Sequence, residues 1–123
     1  MSKKPLIVFE GIECSGKSTQ INYLLKYLKT NKKSFISLRE PGGTKNSELI
    51  RRLILNNRNN FNPLTDTLLY LASRSEFIKN VVLKYYKKKI LIIDRFYYST
   101  IAYQHYGFGV KKKLIIDINK EIL

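Results

Sequence analysis

The residues of this chain with the clearest chemical capability form a glycine-rich turn near its start, Gly11-Ile12-Glu13-Cys14-Ser15-Gly16-Lys17-Ser18, followed by Thr19. An apolar run (residues 6–9) precedes the turn and an amphipathic stretch follows it, which predicts a strand, a turn and a helix. The G-x-x-x-x-G-K-S spacing is typical of the phosphate-binding P-loop, in which glycines let backbone N–H groups point at phosphate oxygens. We therefore expect Lys17 to reach the β- and γ-phosphates of a nucleotide and Ser18 to offer its hydroxyl to Mg²⁺. The alternative is a glycine-rich turn that binds nothing.

Four of the scarce acids form a second group with chemical capability. Glu10, Glu13, Glu40 and Asp94 lie at or just past the carboxyl ends of predicted strands. In an open α/β sheet that edge is where ligands bind, and Mg²⁺ and sugar hydroxyls are suitable partners for carboxylates. The acids therefore predict a ligand site at the same edge as the P-loop.

Asp94 ends an apolar run, and in P-loop enzymes an acid in that position lies beside the P-loop and holds Mg²⁺ directly or through water. Ser18 and Asp94 are thus the expected metal ligands. The arginine that follows, Arg95, suits a second anionic group. Thr100, Tyr103 and Gln104 come on the next turn, where they suit a base and a sugar.

The composition indicates a single domain (residues 1–123) without a membrane anchor. Hydrophobic residues make up 44% of the 123 residues, which is ordinary for a soluble chain. No apolar run approaches the ~20 residues of a membrane span, and residues 1–5 do not resemble a signal peptide. The single cysteine excludes a disulfide framework. We therefore predict a cytoplasmic protein.

The strong positive charge raises nucleic-acid binding as a function. The chain has 23 Lys+Arg against 9 Asp+Glu, a formal net charge of +14. However, the lysine runs at 87–89 and 111–113 fall at predicted element ends, and basic residues do not interleave with aromatic ones on an obvious face. Nucleic acid is therefore not the expected partner.

Alternating strands and helices predict an α/β fold, a parallel sheet with helices on both faces. The predicted strands are 6–10, 34–38 and 89–94, the last apolar enough to be buried on both faces. The predicted helices cover the segment after the P-loop, 48–56, 63 to about 86, 99–106 and a segment from about 111. In the second helix we expect Leu49, Leu53 and Ile54 to face the core. Residues 114–118 are β-branched enough to form a strand instead.

Three segments beyond the P-loop resemble motifs of one enzyme family. Asp94-Arg95-Phe96-x-x-Ser99-x-x-Ala102-Tyr103-Gln104 resembles the signature of thymidylate kinases, which transfer the γ-phosphoryl group of ATP to dTMP in dTTP synthesis. Arg39-Glu40-Pro41-Gly42-Gly43-Thr44 resembles the second motif of the bacterial enzymes, and Leu68-Leu69-Tyr70-Leu71-Ala72-Ser73-Arg74 their third. The resemblance covers nearly the whole chain. It implies a P-loop NTPase-type fold, ATP and dTMP as substrates, Mg²⁺ as cofactor and a homodimer.

The resemblance also implies which residues form the site. The implied ATP contacts are Gly11, Ile12, Glu13, Cys14, Ser15, Gly16, Lys17, Ser18 and Thr19. The implied dTMP contacts are Glu40, Arg51, Tyr70, Arg74, Arg95, Thr100, Tyr103 and Gln104. Lys17, Arg95 and Glu13 are the implied catalytic residues.

Individual roles follow from the same resemblance. Tyr70, where the family usually has Phe, would stack on thymine, while Arg74 would donate to a thymine carbonyl beside Thr100 and Gln104. Arg51 and Arg95 would clamp the dTMP phosphate, and positioning of this kind is most of the catalysis. Glu13 and Glu40 would lie near the sugar and the metal. Tyr103 would crowd C2′ and so disfavour ribose.

The residue at position 14 departs from one group of these kinases, which carry an arginine there. Cys14 resembles the group that supplies arginines from a mobile lid, and the family's lid and last strands follow position 123. We therefore expect an N-terminal part of one kinase domain, incomplete at its C-terminus, with an exposed apolar edge on the first strand. The acceptor site would be encoded within these residues and full catalysis would not.

Three other functions stay open at this point. The first is a P-loop nucleoside or nucleotide kinase with a different base, and the second is an inactive nucleotide-binding fragment. The third is a basic binding module that uses nucleotide as a switch. Salt separates the third from the kinases, because nucleic-acid affinity falls steeply with ionic strength.

Overall fold

The P-loop is carried by a three-stranded parallel sheet. The computed structural model describes residues 4–123, so residues 1–3 of the segment that was compared with a signal peptide lie outside the described part. The strands β1 (Leu6–Phe9), β2 (Phe35–Arg39) and β3 (Ile90–Asp94) lie in the order β1-β3-β2. Each predicted strand is confirmed, with ends that differ by one residue.

Helices connect and cover these strands. They are α1 (Lys17–Thr30), α2 (Lys45–Leu55), α3 (Pro63–Phe77), α4 (Leu83–Tyr85), α5 (Tyr97–Thr100) and α6 (Lys112–Ile122). Two wider π-helical segments, Ile78–Val82 and Ile101–Gly107, extend α3 into α4 and continue α5. The predicted long helix from Pro63 is confirmed as one continuous helical path. Its start is set by Asn62, whose side chain accepts from the backbone N–H of Thr65 at 2.9 Å.

The central strand β3 is buried on both faces, as predicted. Ile92 packs with Ile21 and Leu28 of α1 on one face of the sheet. Leu91 and Ile93 point to the opposite face, because successive strand residues alternate. There they pack with the end of α3 and the π-helical segment that follows it. Helices therefore cover both faces of the sheet, which confirms the predicted α/β class.

The inward face predicted for α2 was wrong for Leu49 and Leu53, whereas Ile54 is half-buried. Leu49 and Leu53 are 48% and 46% exposed, and the buried residue of this helix is Ser47. The Ser47 hydroxyl donates to the carbonyl of Ser73 on α3 at 2.9 Å, so a polar contact sets the face that α2 turns inward. The helix also begins earlier than predicted, because Thr44 caps it by accepting from the N–H of Ser47.

The last helix decides between the two structures that the sequence left open. Residues 114–118 belong to α6, so the strand alternative was wrong. Ile115 and Asn119 are both fully buried and lie one helical turn apart, and Ile115 packs with Leu71 of α3. α6 therefore packs against α3 through buried residues that are spaced one helical turn apart.

β1 is an edge strand among the described strands, as expected, and its Leu6 is 40% exposed. None of the helices in residues 4–123 is both long and apolar enough to cross a membrane.

Candidate active site

The carboxyl ends of the three strands lie level with one another. In the parallel register Asp94 is the partner of both Phe9 and Arg39. Two further backbone hydrogen bonds hold the chain where it leaves the sheet, from the N–H of Arg95 to the carbonyl of Phe9 at 2.8 Å and from the N–H of Glu40 to that of Asp94 at 3.0 Å. The predicted gathering of acids at one sheet edge follows from this register.

The P-loop wraps a cleft of about 380 Å³. Residues 12–19 and Arg95 line this donor cleft, as we call it. Gly16 lies in the left-handed region with φ 84°, where a glycine is favoured. Gly11 lies outside the cleft lining, and a Cβ at this position would lie 2.8 Å from the Ser15 hydroxyl, so a larger residue would displace the Ser15 side chain. The side chain of Lys17 forms an ion pair with Asp94, which joins the P-loop to β3.

A second cleft, of about 250 Å³, adjoins the first. We call it the acceptor cleft. Every residue that the sequence implied for dTMP lines it: Glu40, Arg51, Tyr70, Arg74, Arg95, Thr100, Tyr103 and Gln104. The other lining residues are Glu13, Pro41, Leu55, Phe96 and Ser99. Residues from α2, α3 and α5 thus meet at the sheet edge, as the motifs required.

Arg74 is the hub of the acceptor cleft. It is 2% exposed, and its Nε and Nη2 donate to Glu40 at 2.7–3.2 Å. Nη2 also donates to the Thr100 hydroxyl and Nη1 to the Asn119 side chain, each at 2.8 Å. The guanidinium lies over the Phe96 ring, with Cζ 4.9 Å from its centroid. Burial raises the pKa of Glu40, and the nearby Arg74 opposes that rise.

Gln104 is held by two residues of α3. Its amide N donates to Asp66 and its amide O accepts from Thr67, each at 3.2 Å. Gln104 and Thr67 are buried, and burial also raises the pKa of Asp66 against the Gln104 hydrogen bond. Both ends of the Gln104 amide are therefore engaged within the protein.

Positive charge gathers around Tyr70. Arg51 donates to the Pro41 carbonyl at 2.9 Å, and Arg95 lies over the Tyr103 ring, with its Cζ 5.4 Å from the centroid. Burial and the Asp66 charge raise the pKa of Tyr70, while Arg51 and Arg95 oppose the rise. The acceptor cleft therefore combines an aromatic surface with two cations, an arrangement suited to a base that bears a phosphate.

Two residues line both clefts, Glu13 and Arg95. Arg95 has φ +67°, a conformation that non-glycine residues rarely adopt and that is often found at functional sites. The position of Arg95 therefore allows its side chain to act on groups from either cleft.

The sequence placed Glu10 at the ligand-binding edge of the sheet but gave it no individual role. One of its carboxylate oxygens accepts from the N–H of Phe96 at 2.9 Å and of Ser99 at 3.3 Å, and the other accepts from the Ser99 hydroxyl. Glu10 thereby ties the end of β1 to the segment that carries Arg95. Its position at the end of a predicted strand was the sequence feature that indicated a place near the site. Asp66 and Asn119 are in positions for which the sequence carried no signal.

The donors available for a metal are few. Within residues 4–123 there is no group of three or more His, Cys, Asp or Glu residues that could hold a metal ion. Mg²⁺ is usually bound through one or two carboxylates with substrate phosphates and water, so Asp94 and the Ser18 hydroxyl are a donor set of the right kind.

Comparison with known proteins agrees with this geometry. The family model described as thymidylate kinase matches residues 9–123. The thymidylate kinase of Kosmotoga olearia is 42% identical over 115 residues, which are 93% of this chain and 55% of the relative. That of Chlorobium chlorochromatii is 46% identical over 114 residues, 92% of this chain and 51% of the relative. The chain spans about half the length of these curated relatives.

A solved structure shows the same fold. The crystal structure of thymidylate kinase from Ehrlichia chaffeensis matches with a TM-score of 0.89 and 37% sequence identity. The match covers 99% of this chain and 70% of the other. It confirms the predicted P-loop NTPase-type fold for the part of the family's domain that is present. Since the family model spans nearly all of the sequence, the chain belongs to the thymidylate kinase family.

Proposed function

We propose that this protein contributes to an ATP-dependent kinase that converts dTMP to dTDP in dTTP synthesis. The observation that carries the proposal is the junction of the donor and acceptor clefts at Glu13 and Arg95. Phosphoryl transfer needs the attacking oxygen and the γ-phosphorus to be brought in line, and most of its catalysis is positioning and charge stabilisation. Two adjoining clefts with a shared arginine suit that requirement.

On the donor side, residues 11–19 bind the ATP phosphates. Backbone N–H groups of the loop and the N-terminus of α1 point at the phosphate oxygens. Lys17 reaches the β- and γ-phosphates when it exchanges its contact with Asp94 for one with the nucleotide. Ser18 and Asp94 hold Mg²⁺, which neutralises charge on the phosphates when bound.

On the acceptor side, the base lies against Tyr70 and faces Arg74. Four of the five N–H bonds that an arginine carries are engaged within the protein, two to Glu40, one to Thr100 and one to Asn119. The remaining Nη1 hydrogen is free to donate to a thymine carbonyl. The hydroxyl of Thr100 completes the base edge together with the Gln104 amide, whose second N–H and second oxygen lone pair are not used by Asp66 and Thr67.

The phosphate and sugar of dTMP lie toward the donor cleft. Arg51 and Arg95 clamp the phosphate, and their charges favour the anion. Glu13 and Glu40 face the sugar and the metal. Tyr103 is 41% exposed beside Arg95, where its ring limits the space at C2′.

The proposal treats residues 1–123 as the N-terminal part of one kinase domain. Cys14 brings no positive charge to the transferring group, so arginines of a lid from a longer chain complete the catalytic set. The isolated 123-residue chain is then expected to bind dTMP without ordinary kinase turnover. Cys14 is an exposed free thiol, which suits the reducing cytoplasm.

The test of function is phosphoryl transfer by the longest natural chain that contains this sequence. ATP·Mg²⁺ would be offered with dTMP, dUMP, dCMP, GMP and ribo-TMP, and each diphosphate product quantified by chromatography. We expect selective formation of dTDP, with ribo-TMP disfavoured. Preference for another monophosphate would overturn the assigned base site. A folded protein with no activity on any of them would overturn the kinase assignment.

The proposal includes a homodimer, and the surface of α2 and α3 supports it. These neighbouring helices expose a group of leucines on the surface: Leu49, Leu53, Leu64 and Leu68, each 45–48% exposed. Burying such side chains against a second copy would recover roughly 25 cal/mol per Å² of apolar surface.

Leu53→Glu is therefore expected to convert the dimer into a monomer, measured by sedimentation equilibrium. Leu83→Glu is the matched control, since Leu83 is 57% exposed on α4, outside this leucine surface. A monomeric parent protein, or a dimer that survives Leu53→Glu, would remove the proposed interface.

A further inference from the structure

We propose that Asn119, on the last helix, is a positioning residue of the dTMP site that holds the base-reading Arg74 from behind. The inference deepens the proposed function and rests on it. Asn119 is 2% exposed and lies outside the lining of the acceptor cleft, whereas Arg74 is part of that lining. The two side chains meet through Nη1 of Arg74 and Oδ1 of Asn119, 2.8 Å apart.

The orientation of the Asn119 amide is set by the chemistry of its two partners. Its Nδ2 donates to the carbonyl of Ile115 at 2.7 Å, while its Oδ1 accepts from Arg74. A guanidinium can only donate and a carbonyl can only accept, so the reversed amide would oppose donor to donor and acceptor to acceptor. Asn119 therefore presents a fixed acceptor to Arg74.

Asn119 holds the nitrogen of Arg74 that the other partners leave free. Glu40 and Thr100 engage Nε and Nη2, on the opposite edge of the guanidinium. The hydrogen that remains for a ligand is on Nη1, the same nitrogen that Asn119 holds. Because the guanidinium is planar, fixing one Nη1 hydrogen fixes the direction of the other.

The helix that carries Asn119 is itself fixed to the helix that carries Arg74. Leu71 and Ile115 pack together in one buried cluster, and they precede Arg74 and Asn119 by about one turn each. The apolar contact and the polar contact thus lie side by side between α3 and α6. Movement of α6 is expected to change how Arg74 faces the base.

The inference predicts an effect on dTMP that is separate from any effect on ATP. In the longest natural chain that contains this sequence, Asn119→Leu removes the acceptor at similar volume. We expect the KM for dTMP to rise about ten- to a hundredfold, the range for losing a hydrogen bond to a charged group. The KM for ATP is expected to stay within about twofold, because residues 11–19 are not touched. Asn119→Asp retains an acceptor for Arg74 but opposes a second acceptor to the Ile115 carbonyl, so it should recover part of the affinity for dTMP that Asn119→Leu loses.

Ile115→Val is the matched control for loss of stability. It removes one buried methyl group from the same helix but keeps the Asn119 side chain and the Ile115 backbone carbonyl, so it should lower the melting temperature while leaving the KM for dTMP unchanged. Asn119→Ser, which is too short to reach Arg74 but keeps a polar group, carries the same expectation as Asn119→Leu if the leucine variant does not fold. An unchanged KM for dTMP in Asn119→Leu and Asn119→Ser would overturn the inference, as would an equal rise in their KM for ATP.

Calorimetric titration with dTMP separates this inference from the proposed function. If the parent protein binds dTMP but does not phosphorylate it, the function fails while loss of binding in Asn119→Leu still supports the inference. If the parent protein does not bind dTMP, both are overturned.

Discussion

Replacing Lys17 by methionine is expected to lower kcat for phosphoryl transfer by about 10²- to 10³-fold, the cost of removing one preorganised charge donor from a transition state. The Lys17 side chain is 11% exposed and contacts Asp94 at the junction of the P-loop and β3. A neutral methionine fills similar space but cannot stabilise the negative charge on the transferring phosphoryl group. The loss should appear in turnover at saturating ATP and dTMP.

Lys26→Met is the control, because Lys26 is an exposed lysine on the same helix α1. It should retain the parent rate. Circular dichroism would confirm that both variants are folded. A Lys17→Met protein within about tenfold of the parent rate would mean that this P-loop does not act through its lysine.

Glu40→Ala is expected to have the largest effect on stability. It removes the carboxylate that accepts from two N–H groups, on Nε and Nη2, of the 2%-exposed Arg74. Leaving one charge of a buried pair without its partner costs about 3–5 kcal/mol, which is a large share of the stability of a small domain. Urea denaturation would measure the loss, and calorimetry should show that dTMP no longer binds.

Two further variants separate the fold from the site. Asp117→Ala breaks the exposed pair with Lys113, and exposed pairs are worth about 1 kcal/mol at most. Glu40→Leu combined with Arg74→Met replaces the buried pair by apolar groups, which often restores stability. The double variant should regain stability yet not bind dTMP. Recovery of binding would show that the pair acts only as structural support.

Much of the donor side was predictable from local sequence. A P-loop is a continuous segment, so its glycines, its lysine and the strand and helix around it are read without knowing any distant contact. The three strands were predictable for the same reason, since apolar runs and turn residues are local, and their parallel arrangement followed from the alternation of strands and helices. The strand order β1-β3-β2 was not predicted. β3 was read as buried on both faces from its apolar run alone, and Ile92 and Ile93 confirm it.

The orientation of α2 could not be read from its pattern. Leu49 and Leu53 have the spacing of a core-facing stripe, yet both are exposed, and the buried contact is made by Ser47. An apolar stripe shows that a surface will be covered but does not identify its partner. Residues 114–118 were ambiguous for a related reason, because β-branched residues in α6 are stabilised by packing against α3.

By itself the sequence determined the phosphate-binding loop, the α/β class, and through its motifs the family and the residues that line the acceptor cleft. Only the tertiary structure decided how those residues are held. Arg74 is 34 residues from Glu40 and 45 from Asn119 along the chain, yet all three meet in one buried network. Such contacts depend on the packing of α3 against the sheet edge and α6, which no local pattern encodes. Burial makes the network specific, because each polar group that leaves water must find a partner there.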